Sequence, residues 1–453
     1  MTRLARREFD AVVVGGGLAG LAAAQRLAAH GRSVALVEKC GRLGGSSAMS
    51  GGWFALSGTA LQRRAGVEDS DERFLADMVE SGGGVADPAL LRALVEGQAG
   101  AIAAIDRADA WTGELKVSAG MTRARAHLIR IDALLAHLQH EAVSAGAVLL
   151  PGLAAGGLVT EGARVVGVSS ERGDLIGSSG VVLATGGFSR SRELIELFVP
   201  GQAAAMPYGG VGNTGDGLRM AWRLGAGLAD IGHVAATYGQ HPETTDDEHE
   251  LLTANYLGAI LVNERGERFA DESASYKVLG SAVLGQPGGT AFQVFDSVVR
   301  ARSRPGVPLS DMERLEELGH LVSAPTIRDL ARELGVPAER LARTVAEYNE
   351  SVAGRRDDAF GRLGLVNGTG SLVPVASAPF FAYAAVSAMT STYGGLSVAP
   401  DGSVKRVDGS RIDGLYAAGE VVGGFHGASY MTGTALTKAL VFGARVADAI
   451  AHG

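Results

Sequence analysis

At 453 residues the chain is too long for one compact core, so two domains are the starting expectation. Hydrophobic residues make up 46% and charged residues 20%, the balance of a globular enzyme and not of a disordered chain. A net charge of −8 gives no electrostatic case for nucleic acid or an anionic membrane, and the single cysteine, Cys40, excludes an internal disulfide framework and a Cys-x-x-Cys redox pair. One cysteine fits a reducing cytoplasm. The basic opening Met1–Arg7 is followed by an apolar run of only about five residues that ends in glycines, which reads as a β-strand and not as a signal-peptide core or a membrane span. We therefore expect a cytoplasmic protein with no membrane span.

In chain order, Asp10-Ala-Val-Val-Val-Gly15 predicts a strand and a glycine turn, followed by a helix from Leu21 to His30 and a strand from Ser33 to Glu38, one βαβ unit. Helical patterns follow at 70–80, 88–108 and 131–145. The stretch Gly167–Gly187 alternates as a strand does and ends in a buried parallel strand running into the turn Ala184-Thr185-Gly186-Gly187. From 233 to 376 the chain carries polar loops, charged helices over Asp311–Gly319 and Thr326–Leu334, and a helix over Pro337–Ala353. Residues 377–453 return to short strands, glycine turns and a last helix from Ala435 to His452. The expected fold is α/β, a Rossmann-like dinucleotide-binding domain built from 1–232 and 377–453, interrupted by an α+β cap over 233–376.

Gly15-x-Gly17-x-x-Gly20 places glycines where the backbone turns tightly, approaches a pyrophosphate and packs helix on strand, with Leu18 and Ala19 opening the helix behind them. Glu38 closes the next strand 23 residues after Gly15, where a carboxylate accepts hydrogen bonds from a ribose diol. NAD and FAD both use such a turn. The later Ala184-Thr185-Gly186-Gly187 turn and the strand–turn Gly414-Leu-Tyr-Ala-Ala-Gly419-Glu420 discriminate between them.

Together these motifs resemble the flavoprotein superfamily of fumarate reductase, succinate dehydrogenase and the 3-ketosteroid dehydrogenases. The resemblance extends to Gly44-Gly45-Ser46-Ser47, Thr214-Gly215-Asp216-Gly217 and Gly258-x-x-x-x-Asn263-x-x-Gly266-x-Arg268-Phe269-x-x-Glu272, and so to nearly the whole chain. It implies FAD, with Glu420 on the ribityl chain and the helix near Thr434, Ala435 and Leu436 aimed at the flavin ring, where its positive end favours the reduced form. It also implies cofactor contacts at Lys39, Ser50, Gly51, Gly52, Ala154 and Asp216. The family's covalent attachment uses a histidine after the Gly-Gly pair. This chain has Ser46-Ser47-Ala-Met49 there, so FAD is expected to be bound non-covalently.

The substrate side departs from the fumarate pattern. Where the family's proton-donating arginine follows the Arg-Phe-x-x-Glu motif, this chain has Tyr276, and where a clamping arginine follows His-Gly-Ala it has Tyr430. A family histidine corresponds to Thr390 or Ser391, and the relay positions fall near Leu252 and Asn255. His241, in Gln240-His241-Pro242, is the one stand-in for a fumarate histidine, about four residues out of register. Tyrosines at these two places resemble the ketosteroid dehydrogenases, and Tyr430-Met-Thr432-Gly433 is similar to the Tyr-x-Ser-Gly of the 4,5-desaturating subgroup.

Desaturation next to a carbonyl needs a hydrogen bond to that carbonyl, a base for the α-proton and a hydride acceptor. The expected assignment is Tyr430, with Thr432 beside it, as carbonyl polariser, Tyr276 as base and the flavin as hydride acceptor. His426 reads either as a flavin contact or as loop packing. Arg125 and His127, in Arg123-Ala-Arg125-Ala-His127, read either as a clamp for a substrate carboxylate or as a solvated basic stretch. No histidine has metal-ligand partners at useful spacing. The expected function is FAD-dependent introduction of an α,β double bond into a cyclic ketone, a 3-ketosteroid or a smaller cyclohexanone-type substrate such as an oxocyclohexane carboxylate. The electron acceptor is oxygen, a quinone or an electron-transfer protein. The alternative is a fumarate reductase-like enoate or dicarboxylate reductase.

Overall fold

The computed structural model describes residues 6–245 and 251–453, so most of the basic opening segment lies outside the described residues. The chain divides into two compact units, Met1–Pro200 with Gly209–Val234 and Ser391–Gly453, and Gly201–Tyr208 with Ala235–Thr390. The architecture is mixed α/β.

The first unit is built on an eight-stranded sheet. Its central strand Arg7–Val14 pairs in parallel with Val34–Glu38 on one side and Gly173–Leu183 on the other. Val148–Pro151 and Arg411–Ala417 extend the parallel set outward. Ala11–Val14 and Val34–Val37 are almost fully buried, which is why these strands read as unbroken apolar runs and not as alternating ones. Helix Leu18–Ala29 begins three residues before the expected Leu21, because Gly17 is its extended N-cap and the first turn forms inside the glycine motif. It lies against the C-terminal helix Thr434–His452 so closely that a Cβ on Gly443 would meet the carbonyl oxygen of Ala19 at 2.4 Å. Arg26 and Asp448 add an ion pair at 2.7 Å, so the first and last helices of the chain are bound side by side. A small antiparallel sheet of Trp53–Ala55, Ala126–Ile129 and Trp111–Lys116 completes this unit.

The second unit has its own six-stranded sheet around the long strand Phe380–Thr392. Alternation with a period of two sends Phe381, Tyr383 and Phe295 into one core with Tyr238 and Leu279, and Ala382 and Val294 into another with Leu330 and Leu341. The helices expected here form over Met312–Glu317, Ile327–Leu334 and Ala338–Val352. The first two start at Asp311 and Thr326, whose side chains accept the amides of Arg314 and Asp329 as N-caps.

Candidate active site

The glycine turn packs strand and helix so closely that two of its three glycines have no room for a side chain. Gly15 has φ +106°, and a Cβ there would meet the Ala184 carbonyl oxygen at 2.2 Å; a Cβ on Gly20 would meet the Gly15 oxygen at 1.8 Å. At Gly17, by contrast, the nearest atom to a Cβ would be the Gly44 oxygen at 3.8 Å, ordinary van der Waals contact without a clash. The N-cap Gly17 has no side chain to cap the first helix, and Ser47 from the next loop takes its first amide, that of Leu18. The Glu38 carboxylate closes one side, accepting the amides of Gly16 and Cys40 at 2.8 Å each. Leu153, next to Ala154, donates its amide to the Glu38 carbonyl. Lys39 bonds to Thr214 and Asp216 at 2.6 and 2.7 Å, so the cofactor candidates Lys39 and Asp216 form an ion pair.

A second loop runs alongside. Gly44 donates its amide to the Gly16 carbonyl, and Gly45 has φ +48°. Ser47 accepts the Leu18 amide, and Ser46 accepts the Gly210 amide and the side-chain amide of Asn213. Ser50 donates to the Ser47 carbonyl, and Gly52 approaches the Ile129 carbonyl so closely that a Cβ would clash at 2.4 Å. Thr185, in the Ala184–Gly187 turn, carries a buried hydroxyl with no protein partner. A glycine turn at a helix start, a ribose-type carboxylate and an orphaned hydroxyl together fit an extended dinucleotide.

Glu420 is part-buried, and the loss of solvent around its carboxyl pushes it above the usual carboxylate range. It accepts the amide of Thr392 at 2.9 Å and the side-chain amide of Asn213 at 3.1 Å. A Cβ on Gly187 would stand 2.4 Å from its oxygen, so the approach requires glycine. Asn213 directly precedes the Thr-Gly-Asp-Gly motif and is not singled out by sequence, because asparagine beside a glycine turn reads as an ordinary turn residue.

Tyr430 lies in the loop before the C-terminal helix. Its hydroxyl oxygen accepts the Gly433 amide at 2.8 Å and the Ala435 amide, both at the start of that helix. Burial raises its phenol to about 12, so it carries its proton across the neutral range. Gly433 sits at φ +89° with no room for a Cβ, and Thr434 donates to the Met431 carbonyl at 2.7 Å. The rings of Tyr393, His426 and Tyr430 pack together, with centroids 5.3 to 6.0 Å apart. His426 is 6% exposed within this cluster, and Thr432 is buried with its amide on the Ala119 carbonyl. Sequence singles out His426 and Tyr430 but not Tyr393.

Arg125 and His127 are interior groups and form neither a clamp nor a solvated stretch. The Arg125 guanidinium is wholly buried, bidentate to Asp69 at 2.8 and 2.6 Å and bonded to Asp77 at 2.7 Å. His127 has both ring nitrogens engaged, by Thr59 at 2.8 Å and the Arg125 carbonyl at 2.7 Å, and burial lowers its pKa to about 4. An unfolded His127 takes up a proton near pH 6.5, while the folded one resists until about 4. Stability is therefore expected to fall as pH drops through this window, with His127 contributing about 3 kcal/mol of the loss. Thermal melts between pH 7 and pH 4 check this. His127→Asn is expected to melt lower at pH 7 and to show a flatter acid slope, and an unchanged slope would contradict the assignment.

In the second unit, Tyr276 is the first residue of helix Tyr276–Leu284, capped by the Ser275 hydroxyl on the Val278 amide. The segment leading to it is firmly held. Glu272, completely buried, accepts both Arg268 nitrogens at 2.7 and 2.6 Å, Arg362 at 3.3 Å and the Leu261 amide at 3.1 Å. Tyr256 donates to the Ala274 carbonyl at 2.9 Å and accepts the Tyr276 amide. Lys277 is buried, and burial lowers its amine to about 6, so it is largely neutral at pH 7. Thr390 donates to the Ala235 carbonyl, and Ser391 is half-buried near the end of the same strand. His241 stacks on His320 with centroids 3.8 Å apart, and its Nδ1 accepts the Glu243 amide. His241, Glu243 and His320 lie close enough to suggest a metal site. However, an imidazole that accepts at Nδ1 keeps its proton on Nε2, which makes His241 a hydrogen-bond donor and not a ligand.

The parallel sheet, the glycine turn and the part-buried Glu420 define a flavoprotein of the dinucleotide-binding type. The chain belongs to the FAD binding domain family, whose model matches residues 10–436, and so to the fumarate reductase and succinate dehydrogenase flavoprotein superfamily. It binds FAD and belongs to a family of FAD-binding oxidoreductases. It is 30% identical to a probable fumarate reductase of Shewanella frigidimarina, over 96% of this chain and 74% of that one. It is 31% identical to the NADH:fumarate oxidoreductase of Klebsiella pneumoniae, over 97% of this chain, and spans about half (47%) of that longer protein. Among solved structures, the open conformation of a flavocytochrome c3 fumarate reductase superposes with a TM-score of 0.84 at 29% identity, over 98% of this chain and 78% of that one. The 3-ketosteroid Δ1-dehydrogenase of Sterolibacterium denitrificans shares the fold, with a TM-score of 0.79 at 23% identity over 98% of this chain and 99% of that one. Among the described residues no helix is long and apolar enough to cross a membrane.

Proposed function

We propose that this protein desaturates a cyclic ketone at the α,β bond, with non-covalently held FAD. The observation that carries the reading is Tyr430. Its phenol accepts two amides at the start of the C-terminal helix and keeps its proton, as a neutral hydrogen-bond donor to a carbonyl must. A fumarate enzyme would place a guanidinium there to pair with a carboxylate. In this reading Tyr430 polarises the ketone, which makes the neighbouring C–H acidic, and Tyr276 takes the α-proton as phenolate. FAD, held by the Gly15–Gly20 turn, Glu38 and Glu420, would supply the acceptor for the β-hydrogen and its electron pair. The two electrons then pass to oxygen, a quinone or an electron-transfer protein. Support for non-covalent attachment is the Ser46-Ser47 pair after Gly44-Gly45, where both serine hydroxyls already hold backbone or side-chain amides.

A second reading runs the same chemistry in reverse, as reduction of a conjugated double bond. It is favoured by the reductase names of the relatives at 30 and 31% identity. Steady-state assays in both directions separate the two. Reduction of an artificial electron acceptor by a saturated cyclic ketone supports desaturation. Turnover of fumarate with a reduced dye, and no ketone oxidation, would replace it with the second reading.

A further inference from the structure

Lys438 is a buried cation that none of these roles uses. It lies one turn into the C-terminal helix and is 2% exposed. Its ammonium donates to the Val422 carbonyl at 3.2 Å and sits 5.3 Å from the centre of the Phe425 ring. It thus ties the helix both to the turn that carries Glu420 and to the loop that leads into His426.

The charges facing it are Glu420 and Asp230. Asp230 holds a left-handed backbone at φ +52°, and its carboxylate accepts the amides of Gly427, at 3.2 Å, and Gly424. His233 stands beside Asp230 on the same loop. Burial pushes both carboxyls up and lowers Lys438 to about 8, and the opposite charges pull each group partly back. One buried ammonium therefore faces two part-buried carboxylates. Removing it leaves both carboxylates without their common cation.

We propose that Lys438 is a positioning residue for the flavin: as the shared counter-charge of Glu420 and Asp230, it braces the 422–427 loop and raises the reduction potential of the cofactor. The inference rests on the reading that places the ribityl chain on Glu420 and the ring at the start of the C-terminal helix. Reduction adds negative charge to the cofactor, so a nearby buried cation favours the reduced form and a nearby carboxylate the oxidised one.

The test is a dye-equilibrated redox titration of the FAD-loaded protein, with Lys438→Gln, Lys438→Arg and Asp230→Asn beside the parent. Lys438→Gln is expected to favour oxidised over reduced FAD about tenfold, a potential lower by about 30 mV for a two-electron couple. Lys438→Arg, which keeps the charge, is expected to stay near the parent. Asp230→Asn keeps a hydrogen-bond acceptor and tolerates the left-handed backbone, and is expected to shift the potential in the opposite direction. An unchanged potential in Lys438→Gln, or shifts of the same sign in Lys438→Gln and Asp230→Asn, would reduce Lys438 to a packing role. If Lys438→Gln does not fold, the sign of the Asp230→Asn shift decides alone: positive supports the proposal, zero or negative overturns it. A parent protein that binds no flavin would instead defeat the placement of FAD.

Discussion

Replacing Tyr276 with phenylalanine is expected to slow flavin reduction by a saturated cyclic ketone by roughly 10²–10⁴-fold, the range for loss of a general base, while FAD stays bound. The substitution removes one oxygen from the first residue of helix Tyr276–Leu284. It leaves the Ser275 cap, the Tyr256 bonds and the Glu272 network untouched, so the local backbone has no reason to move. The measurement is anaerobic stopped-flow at several pH values. A phenol that acts as base gives a rate that rises with pH as phenolate forms, and the Tyr276→Phe change is expected to abolish that rise. Lys277 does not provide a steady neighbouring cation, since its amine is largely neutral above about pH 6. A Tyr276→Phe enzyme with parental rate and pH profile would remove Tyr276 from the mechanism.

Replacing Tyr430 with phenylalanine is expected to cost about 10²–10³-fold in flavin reduction, the loss seen when one donor to a developing oxyanion is removed. The pH profile separates it from the first variant. Tyr430 is held near 12, so it stays protonated across the assay range, and its removal is expected to lower the whole profile without moving its acid limb. The Tyr430→Phe change also leaves the Gly433 and Ala435 amides without the phenol oxygen at the start of the C-terminal helix. A modest loss of thermal stability, about 1–3 kcal/mol, is therefore expected alongside the kinetic effect. If the rate is unaffected and only stability falls, Tyr430 is a helix cap and not a ketone contact.

The cofactor-binding fold was legible in the sequence for physical reasons. Strands buried on both faces appear as apolar runs, such as Ala11–Val14 and Val34–Val37, and the turn that follows demands glycine wherever a Cβ would strike backbone, as at Gly15 and Gly20. Helices were legible as helical patterns at 88–108, Asp311–Gly319 and Thr326–Leu334, and the structure starts them at the caps Asp87, Asp311 and Thr326. Long-range charge pairing was not legible. Arg123-Ala-Arg125-Ala-His127 looks like a basic stretch because the carboxylates that bury Arg125 come from 56 and 48 residues away, at Asp69 and Asp77. Lys438 is hidden for the same reason: in an apolar helix a lone lysine reads as a solvent-facing residue, and only the fold brings Val422, Glu420 and Asp230 to it. Asn213 acts through side-chain hydrogen bonds to Ser46 and Glu420, and Tyr256 through bonds to the Ala274 carbonyl and the Tyr276 amide, roles that no local pattern encodes.

The two substitutions at Tyr276 and Tyr430 probe one idea, that tyrosines have replaced charged groups because the substrate presents a ketone and not a carboxylate pair. The most direct measurement of that idea is an anaerobic titration of the yellow, FAD-loaded protein with a panel of saturated 3-ketosteroids, cyclohexanones, an oxocyclohexane carboxylate and succinate, followed by the flavin absorbance. The account predicts bleaching by at least one cyclic ketone and none by succinate. Bleaching by succinate alone, or by no ketone in the panel, would contradict it.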